Sequence, residues 1–519
     1  MSGEVLRDMI RFTNINERPP LQAFFEEDVL VPDIKPDVAR IGASRVIPRL
    51  AEKESYGGSI RLGGDLYLEV VYTPSASGES PAEVVSVRIP FRHEGEAENV
   101  LGETEVIPRV DHLEVSIINE RKLRMKTVVS FQVREYEDVE RNLFRGFREE
   151  TVEVLPGEVN YTNVAEHKKD YIEVKDEAGI REGMPEIGCV LKTDFRAAET
   201  YRQISADKAI ISGTLYYDIL YLSEESDPEP VPLSGKTDFT QFIKLEGTEP
   251  ISGSDVFMRV DDVRVVPKRD EEDNMTIFEI SVGISTRLDV YSEKQAELVQ
   301  DAYHHSNIMD LEKDEVEIMR FGGSGSADLT VREKVDLHSG AEMEKVVFTV
   351  AEAFAAGGEI EDGKFIAEGI LAPELLYCCA EEKGLRSTTA EIPFRTVVEV
   401  PGLKKDMEVS VEFVVRRASA EKINDRQAEI TAEIGALVKC CERDRIEYIK
   451  NAGMYEEVQN REDNTTRLIL YITRNNDRLW DIGKRYRTPL SDIKRINGID
   501  DELSANFVMG NGEKLLIWA

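Results

Sequence analysis

Cysteine, histidine and tryptophan are scarce in this chain. Its 519 residues hold five cysteines, six histidines and two tryptophans. The cysteines are Cys189 and the adjacent pairs Cys378-Cys379 and Cys440-Cys441. An odd number in this spacing is neither a disulfide framework nor a zinc pattern, and it points to a reducing setting. Neighbouring side chains in a strand face opposite ways, so one cysteine of each pair is expected inside. The adjacent His304-His305 is read as part of an exposed polar linker, not as a metal site. Long apolar runs are missing as well. None approaches the ~20 residues of a membrane span. The opening Met-Ser-Gly-Glu-Val-Leu-Arg-Asp has no apolar signal core, so export is not expected. Cations are the minority charge. The 65 Lys/Arg against 101 Asp/Glu leave −36, which argues against direct nucleic-acid binding.

Motifs of catalysis are also missing. There is no Gly-x-Ser-x-Gly and no His-Glu-x-x-His. Phe321-Gly322-Gly323-Ser324-Gly325-Ser326 lacks the Gly-Lys-Ser/Thr ending of a phosphate loop and reads as a flexible turn. Asp270–Asn274 lacks EF-hand spacing and reads as a solvated hairpin tip. The expectation is a non-enzyme with no cofactor and no metal.

What the chain does have is a repeat. Gly64–Tyr72, Gly213–Tyr221 and Gly369–Tyr377 share Gly-x-Leu-x-x-acid-apolar-apolar-Tyr, at offsets of 149 and 156. Pro36–Ile41 and Pro185–Val190 keep the first offset. The third copy at 341–346 keeps the apolar positions and loses the proline. Phe91, Phe239 and Phe394 form a third landmark. Each copy then ends in a period-two run, Lys122–Val133, Thr276–Val290 and Glu429–Cys440. Such a run is the mark of a half-buried antiparallel strand. Gly63-Gly64, Asp262, Pro267, Asp270–Asn274 and Asn424-Asp425 read as turn signals. The fold class expected is mainly β: three repeated antiparallel β-rich domains, sandwich or barrel, then a small α+β unit. The boundaries drawn are 1–24 for an N-terminal segment, 25–155, 156–305 and 306–455 for the three β domains, 456–466 for a linker and 467–519 for the last unit. Tyr72, Tyr221 and Tyr377 are expected to be structural, with the ring in the core and the hydroxyl bonded at the sheet edge.

The last unit reads strand–helix–helix–strand. Leu468–Ile472 is the first strand. Asp477 is expected to cap a helix carrying Leu479, Ile482 and Tyr486 on one face. Thr488-Pro489 should open a second helix with Leu490, Ile493 and Ile496 buried, ended by Asn497-Gly498. Leu515–Trp518 closes the unit. Nine Lys/Arg against seven Asp/Glu make it +2, which leaves −38 on the rest. Arg474, Arg478, Lys484, Arg485 and Arg487 cluster in sequence. They form either a solvated helix face or a surface for a partner or for the chain's own acidic body.

The spacing of Asp477, Leu479, Trp480, Ile482, Tyr486, Thr488, Ile493 and Asn497 resembles the LysM family. That resemblance implies N-acetylglucosamine-type glycan binding by loops at 475–478 and 503–511. This sequence departs from the family there, with Asn476-Asp477-Arg478 and Met509-Gly510-Asn511 in place of the usual small and glycine-rich residues. The opening Asp28–Ile41 and the segment Gly213–Tyr221 resemble the SPOCS type of spore coat and cortex domain, with the third copy most divergent. The whole arrangement is similar to the SipL-type family of clostridial spore coat morphogenesis proteins. The resemblance implies a non-enzymatic scaffold in the mother-cell cytoplasm at the forespore surface. It also implies that the LysM-like unit docks the coat-initiating morphogenetic ATPase. The candidate partner-binding residues are Arg474, Asp477, Arg478, Trp480, Lys484, Arg487, Phe507 and Met509. Trp480 is either an interface anchor or a core residue. The competing readings are a cell-wall protein binding peptidoglycan glycans and, more weakly, an enzyme hidden in the β units.

Overall fold

The computed structural model describes residues 5–56, 58–75, 80–96, 102–148, 151–247, 249–337, 342–379, 384–455 and 468–518. The expected linker at 456–466 and the third-copy landmark position 341 lie outside them. The described chain is mainly β, with two short helices near its end.

Each repeat builds two antiparallel sheets on one plan. In the first unit, β1 (Val5–Leu30), β6 (Lys122–Phe147) and β5 (Glu103–Asn119) form one sheet. The strands β2 (Val38–Tyr56), β3 (Ser59–Pro74) and β4 (Glu83–Glu96) form the other. The second unit repeats this with β7 (Val152–Gly179), β12 (Met275–His304) and β11 (Gly253–Arg269), then β8 (Ile187–Ile204), β9 (Lys208–Ser223) and β10 (Pro230–Lys244). In the third, β13 (Ile308–Asp336), β19 (Gln427–Tyr455) and β18 (Glu408–Asn424) form one sheet. Its other sheet joins β14 (Met343–Glu361), β15 (Lys364–Cys379), β16 (Leu385–Thr389) and β17 (Ile392–Glu399). The two sheets of a unit share one core. In the first unit Val29, Val46, Leu66, Ile89, Val106 and Val129 each come from a different strand of it. Two packed sheets answer the open question of topology as a sandwich.

The three sequence landmarks become two physical contacts. Each repeated glycine faces the repeated phenylalanine across the sheet, as Gly64↔Phe91, Gly213↔Phe239 and Gly369↔Phe394. A Cβ on Gly213 would lie 2.6 Å from the Phe239 ring, and one on Gly369 would lie 2.4 Å from Phe394. The ring takes the place a side chain would fill. The repeated tyrosines are fully buried. Tyr72 donates its hydroxyl to Pro36 O at 2.9 Å and Tyr221 to Pro185 O at 3.0 Å. The expected structural role therefore holds in ring and hydroxyl for Tyr72 and Tyr221 and in the buried ring for Tyr377, and burial pushes the Tyr72 hydroxyl up to about 12.

The first and last strands of each unit run well past their own sandwich. The far ends of the β1/β6, β7/β12 and β13/β19 hairpins pack on one another. Ile10, Phe12, Val139, Val159, Leu298, Ile318 and Tyr448 share a core there. A second inter-unit core joins Val71, Leu220 and Leu376, the residues just before the repeated tyrosines. The three repeats therefore surround a pseudo-threefold axis. The strand of the Gly-to-Tyr motif serves two interfaces at once, because its tyrosine faces inward and its neighbour faces the other units.

Several expectations change. The boundary at 24 falls inside β1, and the boundary at 155 falls inside β7. The reason is that the hairpin ends belong to the inter-unit core. Phe321–Ser326 is no turn. It lies within β13, with a register shift at Phe321/Gly323. Gly63-Gly64 lies inside β3, and Asp262 and Pro267 lie inside β11. His304 is buried, not solvated. Its Nε2 lies 3.0 Å from Thr151 Oγ1, and its Nδ1 accepts the N–H groups of Ser306 and Asn307 at 2.9 Å. It thus ties the turn between β12 and β13. Asp270 does sit at a hairpin tip, where its carboxylate accepts the N–H groups of Glu272 and Asn274.

Candidate functional site

The C-terminal module runs β20 (Leu468–Ile472), α1 (Leu479–Tyr486), α2 (Leu490–Asn497) and β21 (Lys514–Trp518), with β20 and β21 antiparallel. Leu479, Ile482, Ile493, Leu515 and Ile517 fill its core. Gly498 ends α2 in the left-handed region at φ 65, where glycine carries no Cβ penalty. Asn497 ties that end to β21. It donates to Leu516 O at 2.8 Å and accepts Leu516 N–H at 2.7 Å.

The two expected caps do other work. Arg478 occupies the N-cap of α1 and Pro489 that of α2, neither with a side-chain capping bond. The Asp477 carboxylate turns back instead. It accepts the Tyr471 hydroxyl at 2.6 Å and the Arg474 N–H at 2.8 Å, and these bonds hold it below the usual carboxylate range. The donors at the start of α1 are satisfied by the facing loop, through Leu479 N–H to Phe507 O and Trp480 N–H to Ala505 O. Thr488 donates its hydroxyl to Trp518 O at 2.7 Å, which ties α2 to β21.

The candidate residues divide into three groups. Trp480 and Met509 are buried in the module core. Trp480 and Lys484 also reach the body. Trp480 Nε1–H donates to Asp301 Oδ2 at 2.9 Å, and Lys484 Nζ lies 2.7 Å from both Asp301 oxygens. Tyr303 meets Trp480 edge-on at 5.0 Å between centroids and donates its hydroxyl to Thr488 O at 2.8 Å. The basic cluster thus partly answers the chain's own acidic body. The third group faces solvent. Arg474 and Phe507 are exposed, and Arg478 is exposed while forked onto Asp481 at 2.8 and 3.0 Å. Arg487 holds the left-handed C-cap of α1 at φ 52. The structure therefore brings Trp480 and Lys484 together on Asp301. Arg474 sits apart, at the Asp477 turn.

The two loops expected to accept a sugar are closed on each other. Arg478 bridges Val508, and Met509 N–H donates to Asp477 O at 2.9 Å. Met509 is buried, while the exposed Arg478 side chain lies on Asp481.

Residues outside the expected set form a larger surface. Leu468, Leu470 and Ile472 point outward from β20, and Leu516 and Trp518 point outward from β21. Leu468 pairs with Trp518 and Leu470 with Leu516. The result is one apolar sheet face with exposed Lys514 beside Ile472 and exposed Arg474 just beyond it. The unbroken apolar run Leu468–Ile472 was the available signal. A strand with one wet face should alternate with polar residues, and this one does not.

A second candidate lies on the pseudo-threefold axis. A cleft of about 880 Å³ opens there among the three units. Arg134, Asp289 and Lys439 each follow a buried core residue of their unit's last strand (Val133, Leu288, Val438) and meet near it. Asp289 accepts from Arg134 at 3.0 Å, from Tyr136 at 3.1 Å and from His167 Nδ1 at 2.6 Å. Burial works to raise Asp289, but the His167 bond and the Arg134 and Arg287 charges outweigh it and hold the carboxyl low. Asp255 pairs with Lys439, and Arg287 with Glu105 at 2.7 Å. Of the repeated acids on the second sheets, one pairs across units and one within its own unit. Glu374 pairs with Lys192 of the neighbouring unit, and Asp218 with Arg196. Charges on this axis answer one another across units, so they read as a structural seam. Among the described residues, no group of three or more His, Cys, Asp or Glu side chains could hold a metal ion. No helix among the described residues is long and apolar enough to cross a membrane.

The SipL SPOCS domain matches this chain twice, at residues 186–267 and 342–423. The first match spans β8 to β11 of the second unit, and the other spans β14 to β18 of the third. The divergent third copy is thus matched. No curated protein and no solved structure matches the chain. Over these two repeats, about a third of its length, the chain is similar to the SipL family through its SPOCS domain.

Proposed function

We propose that this chain is a non-catalytic scaffold of spore coat assembly, acting in the mother cell at the forespore surface. Its LysM-like C-terminal module would dock a protein partner, and the SipL-type resemblance points to the coat-initiating morphogenetic ATPase. The observation that carries the docking half of this reading is the exposed apolar face of β20 and β21. Contiguous apolar surface beside free cations is the composition of a protein contact. The coat half rests on the two SPOCS matches. The repeated Gly, Phe and Tyr positions of the β units are engaged in packing, and the repeated acids Asp218 and Glu374 in ion pairs, which fits a scaffold better than a reaction centre. The closed loops with Arg478 and Met509 count against a glycan ligand.

The test uses the full chain and recombinant coat ATPase. Leu470→Glu places a charge on the outward face without touching the module core. Binding should fall at least about tenfold, the scale of one lost hot-spot side chain. Equal binding by wild type and variant would remove the sheet face from the contact.

A further inference from the structure

The module rests on the end of the β7/β12 hairpin, although the repeat offers it three such ends. Each long hairpin carries one extra residue at an equivalent bulge, Arg145 in β6, Gln300 in β12 and Lys450 in β19. Counting from the bulge, Asp301 corresponds to Gly146 and Asn451, and Tyr303 to Arg148 and Gly453. Of the three hairpins, the second alone presents a carboxylate and an aromatic ring at these places. Both groups are used on the module. Asp301 receives Trp480 and Lys484, and Tyr303 receives Thr488 and the Trp480 ring. Leu155, beside Asp301 in register, packs into the same cluster. The fit is close as well. A Cβ on Gly483 would lie 2.6 Å from the Tyr303 hydroxyl.

We infer that Asp301 and Tyr303 form a latch that closes the C-terminal module onto the second unit and covers its Trp480–Lys484 edge. The latch withholds this edge, because any group that binds there must first displace Asp301. Its chemistry suits release. One carboxylate accepts both donors, and the ion pair is partly exposed, with side chains at 45% and 21% exposure. Salt and competing anions weaken such a pair far more than a buried one. The apolar sheet face lies away from the latch and stays open in the closed state. The latch does not depend on the coat reading, which enters only when a partner is named.

Two tryptophans give two indole N–H signals, which separates the sites by NMR of the ¹⁵N-labelled full chain, with Trp518→Phe for assignment. In wild type at low salt, the Trp480 indole N–H should be shifted by its carboxylate acceptor and protected from solvent exchange. Asp301→Asn should move that signal and speed its exchange about tenfold, the scale of one charge-assisted hydrogen bond. Wild type in high salt should move the same way. Tyr303→Phe should act in the same direction with a smaller effect. The Trp518 signal should stay put, showing that the module remains folded. An unchanged Trp480 signal and exchange rate in Asp301→Asn would overturn the latch.

Discussion

Two carboxylates on β12 do the same electrostatic job under different conditions. Asp289 is fully buried, and it joins Arg134 of the first unit to the second. Asp301 sits twelve residues on, partly exposed, and holds Lys484 of the module. A buried ion pair gains little net stability when whole but costs much when broken, because the remaining charge is stranded. An exposed pair contributes little and breaks cheaply. The first therefore fixes how the repeats assemble, and the second can be made and unmade. One strand carries a permanent seam at one place and a reversible contact at the next.

Breaking the seam should have the largest effect. Asp289→Ala takes from the buried Arg134 its 3.0 Å partner and should destabilise the chain by about 3–5 kcal/mol in denaturant melts. Leu220→Ala, in the apolar inter-unit core, should cost about 3 kcal/mol in the same measurement. Acid sharpens the comparison. Asp289 has a lowered folded pKa, so its stabilisation is complete above the ordinary carboxylate range and is lost as pH falls through the lower folded value. Below about pH 4 the wild-type melting temperature should drop more steeply than that of Asp289→Asn. Parallel curves would contradict the role assigned to Asp289. Tyr221→Phe removes one hydroxyl bond to Pro185 and should cost about 1 kcal/mol. Lys484→Gln, on the latch side, should cost less than about 1 kcal/mol and should abolish the salt dependence of Trp480 exposure.

The contrast also explains what could be read from sequence. The repeat was legible because its glycine, phenylalanine and tyrosine make local contacts within one unit. The first helix was legible from Leu479, Ile482 and Tyr486, and the end of the second from Gly498. The unit boundaries were not, because Ile10, Phe12 and Val139 are buried by residues well over a hundred positions away. Asp477 and Thr488 do not cap their helices, for a related reason. Tertiary partners, Tyr471 and the Trp518 carbonyl, outcompete the local helix donors. The sequence leaves Trp480 as either anchor or core. It is core on one edge, and its indole N–H binds Asp301. No sequence pattern marks Asp301 itself, since it is told from Gly146 and Asn451 only by where the module lands. The outward face of Leu468–Ile472 was visible as an unbroken apolar run.

The central claim is that the module is a protein-docking unit on a coat scaffold. The most direct measurement titrates the full chain in parallel with recombinant coat ATPase and with N-acetylglucosamine oligomers. The account predicts saturable binding to the ATPase, weakened by Leu470→Glu, and no saturable binding to the sugar. Binding to the sugar alone would contradict it and make this a wall-directed protein.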